Sequence, residues 1–422
     1  MFVHSVPLRR ALLALFVAAA APHPSLAAEP LTLDQALRLA EARSHQLPAH
    51  DAATTAARDM AVAAGRRADP VLKAGVANLP LDGPDRFSFT RDFMTMRSIG
   101  AMQEFTRDDK RQARAARFER EAQVSEASRA LALAALRQET ASAWLERHHL
   151  ERMRDLLGRQ RDEAGLQVEA ADAAYRGGRG TQADVFAARS LVARIEDGLA
   201  QMEREVATAT TRLVRWAGEP ATAALAPPPA LDSVPLRAEE SDTQWLHHPQ
   251  IALLARQEAV AQAEADIARA ERRPDWTVEV MYSQRGPAYS NMASINVSVP
   301  LQWDRRHRQD RELSARLAMA QRLRAEREEA TRAHVAQTLA MLQEWQSHRE
   351  RLGRYARTLI PLAAERTQAA MAAYRGGAGP LGAVFEARLN EIDVRMDGLR
   401  LELDSARLWA QLTYLMPDGA PQ

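Results

Sequence analysis

The chain of 422 residues balances 56 Lys and Arg against 55 Asp and Glu and contains no Cys. That near-neutrality argues against a nucleic-acid partner, which would select a net basic domain. The missing thiols exclude disulfides, thiolate metal sites, a cysteine nucleophile and a lipidated N-terminal Cys. With 46% hydrophobic but only 5% aromatic residues, and with abundant Ala, Arg, Leu and Glu, the composition points to extended helices.

Arg9 and Arg10 precede an apolar run from Ala11 to Ala21 and then Ser25-Leu26-Ala27, a small-x-small cleavage pattern. Such a run is too short for a helix to cross a bilayer, so residues 1–27 read as a secretory signal peptide and the mature chain as exported. Residues 34–67 read as an Ala-rich helix that ends before Pro70. Strands are expected at 71–80 and 95–105, separated by a loop with Pro80, Gly83 and Pro84. From 108 to 175 there is no Pro, and the only Gly residues are 158 and 165. That predicts one helix of about 100 Å at 1.5 Å per residue, broken by Gly177, Gly178 and Gly180. The first unit thus spans 28–218. A connector at 219–241 follows, holding Pro220, Pro227, Pro228, Pro229 and Pro235. A second unit, 242–422, repeats the plan with strands at 276–284 and 292–302 and a helix over 306–374. Pro361 should kink that helix, since it has no N–H to donate.

The chain is duplicated. Ala174-Tyr175-Arg176-Gly177-Gly178-Arg179-Gly180 recurs 199 positions later as Ala373-Tyr374-Arg375-Gly376-Gly377-Ala378-Gly379. Val185-Phe186-x-Ala188-Arg189 recurs at the same offset as Val384-Phe385-x-Ala387-Arg388. Gln103-Glu104-Phe105-Thr106-Arg107 aligns with Leu301-Gln302-Trp303-Asp304-Arg305 at offset 198, and Arg67-Ala68-Asp69-Pro70 lies near Arg272-Arg273-Pro274-Asp275. Units of this size are far longer than the 20–50 residues of solenoid repeats. The helices after the Gly turns alternate apolar spacings of three and four, in Val185, Ala188, Val192, Ile195, Leu199, Met202, Val206, Ala209 and Leu213, and again from Phe385 to Ala410. That period predicts coiled-coil-like packing.

In the second unit Trp276, Val278, Val280 and Tyr282 share one strand face, with Thr277, Glu279 and Ser283 on the other. Ala293, Ile295, Val297, Val299 and Leu301 likewise oppose Ser294, Asn296 and Ser298. Segments of nine to eleven residues with this alternation match outer-membrane β-strands. Trp276, Val278, Val280, Tyr282, Ile295, Val297 and Val299 are therefore the expected lipid-facing residues. Four strands cannot close a membrane barrel, and open edges in hydrocarbon cost several kcal/mol per unpaired group, so spanning requires oligomerisation.

No enzyme constellation, cofactor motif or resident metal site emerges: there is no His-Glu-x-x-His, phosphate-binding Gly loop or nucleophile elbow. His148-His149 and His247-His248 are adjacent pairs, which on a helix point about 100° apart and do not chelate. Met94, Met96, Met102, Met281 and Met292 gather around the hairpins; apolar filling or soft thioether donors are both open readings.

Leu31-Thr32-Leu33-Asp34-Gln35-Ala36-Leu37, Gln103 to Arg107 leading to Lys110-Arg111, Ser298-Val299-Pro300-Leu301 before Asp304-Arg305, and the paired Tyr-Arg-Gly-Gly turns together resemble the TolC-like outer membrane efflux proteins. The likeness runs across nearly the whole mature chain and looks most like the cobalt–zinc–cadmium or copper-type cation branch. It implies a mainly α fold with a small membrane β-barrel part: a homotrimer whose twelve-stranded barrel in the outer membrane continues as an α-helical barrel in the periplasm. It further implies a passive duct that docks a periplasmic adaptor and an inner-membrane pump of resistance-nodulation-division type. On that resemblance Gly177, Gly178, Gly180, Thr181, Asp184, Gly376, Gly377, Gly379 and Pro380 form the periplasmic tip, and Asp184 and Glu386 are candidate gate acids. Thr181 with Asp184 also reads as a capping box, and Pro380 as a first helical residue. The competing readings are a drug duct of the same fold, a periplasmic adaptor-type coiled coil and a secreted coiled-coil scaffold.

Overall fold

The computed structural model describes residues 29–235 and 248–415; the signal segment, the end of the connector, His247 and residues 416–422 lie outside the described residues. The first helix begins where sequence chemistry permits. Thr32 accepts from the Gln35 N–H at 3.1 Å while the Gln35 side chain accepts from the Thr32 N–H at 3.0 Å, a reciprocal cap that satisfies two otherwise orphaned donors. The single helix expected over 34–67 is two, α1 (Leu33–Arg43) and α2 (Gln46–Ala64). The break at Ser44 and His45 is explained by Pro48, which withholds an N–H and crowds the carbonyl four residues back.

α3 (Asp108–Arg176) is one helix of 69 residues, about 100 Å long. Near its start it packs beside α2 and α5 (Pro249–Glu271), and farther along against α4 (Gln182–Ala217) and α8 (Leu381–Thr413). The second long helix is interrupted: α6 (Gln309–Arg354) passes through a π-helical turn, Tyr355–Leu359, into α7 (Ile360–Arg375). Pro361 accounts for the site of this defect, because an α-helix there would need the N–H that proline lacks. The extra residue pushes Tyr355 toward α8, where Gly398 makes room; a Cβ on Gly398 would already lie 3.4 Å from the Tyr355 ring.

Two cores result. One holds the helices near the Gly turns, with Met153, Leu157, Val185, Ile195, Met202, Val384, Ile392 and Met396 buried between α3, α4 and α8. Of these, Val185, Ile195, Met202, Ile392 and Met396 are three-four positions read from sequence. The other lies midway along the molecule, where Leu37, Trp144, Leu213, Trp345 and Trp409 pack together. Here the connector is tied down: Leu31 bridges Leu225 in parallel, Trp144 Nε1 donates to the Leu31 carbonyl at 3.1 Å, and Arg147 donates to the carbonyls of Ala221 and Ala223.

The strands β1 (Val71–Ala77), β2 (Met96–Phe105), β3 (Trp276–Gln284) and β4 (Met292–Ser298) form one antiparallel sheet in that order. The β2–β3 ladder joins the two units. β1 stops three residues short of the expected 80, and β4 four short of 302. Val299, expected on the barrel face, therefore lies one residue beyond its strand. Both shortfalls occur on edge strands, which have a pairing partner on one side only. Among the described residues no helix is long and apolar enough to cross a membrane.

Candidate channel surfaces: sheet, junction and tips

The register sorts the sheet into two chemistries. Leu72, Ala74 and Val76 fall in line with Ile99, Ala101 and Phe105, with Trp276, Val278, Val280 and Tyr282, and with Ala293, Ile295 and Val297. Arg97, Gln103 and Gln284 are the polar members of that face. Much of it is bare on the single chain: Leu72 is 74% exposed, Ile295 72% and Val297 63%. Natural proteins seldom leave so large an apolar surface in water. The opposite face carries Lys73, Ser98, Glu104, Thr277, Glu279, Ser283, Ser294, Asn296 and Ser298. Across it Lys73 Nζ reaches Glu279 at 2.5 Å, passing Gly100, where a Cβ would sit 2.5 Å from the Val280 carbonyl. Met96, Met102, Met281 and Met292 share this polar face, a grouping that the sequence placed near the hairpins without assigning a side.

Where sheet meets helices, an ion network was not anticipated from sequence. Lys110 is 3% exposed, with Nζ 2.8 Å from Asp275 Oδ2 and 3.3 Å from Glu271 Oε2. Asp275 Oδ1 accepts from the Arg107 N–H at the start of α3, and Arg114 pairs with Glu271 at 2.7 Å. The network links the first unit's long helix to the second unit's strand. Lys110 stands out in sequence as one of two lysines in an Arg-rich chain, and both Lys110 and Asp275 fall in segments singled out above, but nothing in the sequence pairs them.

The two Gly turns are duplicates in backbone. Gly178 N–H donates to the Tyr175 carbonyl and Arg179 N–H to Ala174; Gly377 and Ala378 repeat this onto Tyr374 and Ala373. Each is a Schellman end, whose penultimate position takes the left-handed conformation. Of the six tip glycines only Gly178 (φ +70°) and Gly377 (φ +73°) do so; the others are not required for positive φ. Gly180 and Gly379 instead allow close approach, since a Cβ on either would lie 3.3 Å from an Ala Cβ. Gly178→Ala and Gly377→Ala should each cost about 1 kcal/mol, whereas Gly376→Ala should be near neutral; urea midpoints of the three variants test this.

Restarting the chain is asymmetric. Thr181 and Asp184 cap α4 reciprocally, with Asp184 Oδ2 accepting from the Thr181 N–H at 2.9 Å and from its hydroxyl at 2.7 Å. Those bonds hold the Asp184 carboxyl below the usual carboxylate range. In the second turn Pro380 occupies the N-cap, not the first helical position, and makes no side-chain cap. Glu386 is exposed one turn into α8. Asp184 thus serves its own helix terminus, while Glu386 is free to face solvent.

Among the described residues no group of three or more His, Asp or Glu side chains is placed to hold a metal ion. His149 is 3% exposed; desolvation, then the neighbouring His148, Arg152 and Arg407, push it down to about 3. Glu402, 3.7 Å away, is already engaged by Arg152. His248 lies with its ring centroid 4.0 Å from that of His334 and is pushed down to about 4, by burial and then by His334. Both are therefore neutral in the folded chain, whereas the unfolded chain takes up protons below about pH 6.5. Folding stability should be fully present above that pH and fall as pH drops toward 4, by up to about 1.4 kcal/mol per unit for each ring. His149→Leu should flatten the slope of urea midpoint against pH between 7 and 5; an unchanged slope would contradict the assignment.

The chain is helix-dominated and duplicated, with an amphipathic four-stranded sheet at one side of its helical layer. No protein-family model matches the chain, and no curated protein does. Among solved structures it is similar to the outer membrane protein VceC from Vibrio cholerae, with a TM-score of 0.76 and 18% identity over 92% of this chain and 97% of that one. It is also similar to the outer-membrane channel OprN (0.76, 16%, covering 92% and 91%) and to CusC (0.72, 16%, covering 91% and 92%), whose crystal structures concern transmembrane channel formation. The fold is that of the TolC-like outer-membrane channels.

Proposed function

We propose that the chain is one subunit of an outer-membrane efflux duct and a member of the TolC-like family. The observation that carries this reading is the sheet: an exposed apolar face backed by a polar one, with both edges unpaired in the single chain. Water penalises the first face and hydrocarbon penalises the edges. Both penalties vanish if copies close a barrel with lipid outside and water inside. Three copies supply twelve strands, within the range of membrane barrels. The helices then form a conduit about 100 Å long into the periplasm, with the Gly turns at the end that meets a periplasmic adaptor and, through it, a resistance-nodulation-division pump. The chain catalyses nothing and needs no cofactor; the pump supplies the energy.

The cargo reading is heavy-metal cations, resting on the resemblance of the Gln103–Arg111 segment to the cation branch. Thioethers on the polar face, from Met96, Met102, Met281 and Met292, favour soft cations of the copper type. A drug duct of the same fold is the runner-up. An adaptor-type coiled coil has no use for an apolar sheet face. Expression in a Gram-negative host should give a heat-modifiable trimer in the outer-membrane fraction; a soluble periplasmic monomer would overturn the duct. A deletion strain sensitive to copper and silver but not to organic dyes supports the cargo assignment, and the reverse pattern favours the runner-up.

A further inference from the structure

The two hairpins differ at the end of the sheet remote from the helices. β3 and β4 are joined by residues 285–291, whereas β1 and β2 are joined by the longer segment 78–95. That longer loop is tied to itself. Thr95, wholly buried, donates through Oγ1 to the Asn78 carbonyl at 2.9 Å and closes its base. Asp92 Oδ1 accepts from the N–H groups of Met94 and Thr95 at 2.8 and 3.1 Å, and the Phe87 N–H donates to the Pro80 carbonyl at 2.8 Å. The loop also rests on the other hairpin. Gly286 is buried, a Cβ on it would collide with the Thr90 carbonyl, and Arg285 donates to the Phe93 carbonyl at 3.4 Å. Surface loops packed on themselves in this way are frequently functional.

What the loop presents is apolar and cationic together. Phe87, Phe89 and Phe93 are 52%, 47% and 56% exposed. Phe87 is held at φ +54°, a conformation that a bulky residue keeps only where its surroundings impose it. Around these rings stand three arginines. Arg86 lies 4.8 Å from the Phe87 ring centre and Arg285 5.6 Å from that of Tyr289, while Arg97 is the one cation on the apolar face of the sheet. Among the described residues none of the three joins an ion pair. Of the loop's carboxylates, Asp85 is taken by Arg91 at 3.6 Å and Asp92 by the backbone, which leaves Asp82 alone to offset them.

Height along the sheet decides what such a surface meets. In the proposed duct the apolar face looks into lipid, and Phe105 opposite Trp276 marks its end near the helices. Arg97 opposite Gln284 lies eight residues farther along the ladder. That is about 27 Å of strand, or about 20 Å of height at the usual tilt. The apolar band of a membrane barrel is about 25 Å tall, so lipid extends past the last row of the ladder to the loop. The Arg97 guanidinium can snorkel outward to the headgroups. We propose that the 78–95 loop, with Arg97 and Arg285, is a binding surface for a phosphorylated lipid of the outer leaflet. Phe87, Phe89 and Phe93 enter its acyl edge. Arg86, Arg97 and Arg285 hold its phosphate, which a guanidinium fork matches in shape and charge.

This surface rests on the duct reading, which trimer formation tests separately. Detergent-solubilised trimers of the full chain are titrated with bisphosphorylated lipid A and with its fully dephosphorylated form, and retention is read by native mass spectrometry. The phosphorylated lipid should bind about tenfold more tightly or better. Arg86→Gln, Arg97→Gln and Arg285→Gln together should abolish that preference, while Arg332→Gln on α6 should leave it intact. Gly286→Ala keeps every Arg and Phe but unseats the loop, and should weaken retention as well. Equal binding of the two lipids, or a preference that survives the triple substitution, overturns the proposal. Displacement of the lipid by inorganic phosphate at equal concentration would make this a site for a free anion and overturns it too. If Phe87→Ser, Phe89→Ser and Phe93→Ser together lower trimer yield but leave lipid retention unchanged, the next copy covers the rings and the lipid assignment fails. Absence of trimers from the unsubstituted chain would instead overturn the duct, and this surface with it.

Discussion

Lys110→Met is expected to cost about 3–5 kcal/mol, the penalty for leaving a buried charge without its partner. The ammonium sits almost wholly out of water between Asp275 and Glu271. Glu271 keeps Arg114, but Asp275 would retain only the Arg107 N–H. The uncompensated charge is therefore on Asp275, and removing it should recover most of the loss. Lys110→Met with Asp275→Asn leaves an acceptor for the Arg107 N–H while deleting the charge. The expected double-mutant cycle is strongly coupled: a large loss for the first change and a much smaller loss for the pair. Urea midpoints at fixed protein concentration measure it, since assembly and folding are linked in an oligomer. Additive losses would mean that Lys110 acts by packing alone.

The same network shows where sequence reading stops. Position 110 can be seen to be a lysine in an arginine-rich chain, but Asp275 lies 165 residues away, and no local pattern joins them. What was legible obeys local rules. A run without Pro gives a helix of 69 residues, and three-four spacing buries Val185, Ile195 and Met202. Period-two alternation separates Val278 and Val280 from Thr277 and Glu279. What was not legible depends on context. The break before Pro48 and the π turn before Pro361 show a proline acting on the residues that precede it, with the form of the defect set by packing. β1 and β4 end early because an edge strand's length depends on its neighbour, which no property of residues 78–80 or 299–302 encodes alone. The tip glycines look alike in sequence, yet only Gly178 and Gly377 need positive φ.

On the proposed duct assembly, Val280→Arg and Val297→Arg should each prevent trimer formation. Val280 is the central residue of β3, opposite Ile295, and Val297 stands opposite Val278, so each lies within the apolar face. Arginine near the middle of a lipid-facing surface costs about 2–4 kcal/mol, and three copies would multiply that to about 6–12 kcal/mol per barrel. That is comparable to the whole stability of a typical domain. A guanidinium at Asn296 or Ser294, on the face that carries Lys73 and Glu279, would meet water and should leave trimer yield unchanged. The comparison matters more than either loss, because Asn296 and Val297 are neighbours in one strand and differ only in the side they present. Insertion of charge is thus a test of orientation and not of strand propensity. If Asn296→Arg abolished assembly while Val297→Arg did not, the barrel would be inside out relative to the assignment here. The polar stripe would then face the membrane, and the methionines on it could not line a path for ions. Heat-modifiable trimer yield from outer membranes decides between the two, because a barrel can close with only one of these faces toward lipid.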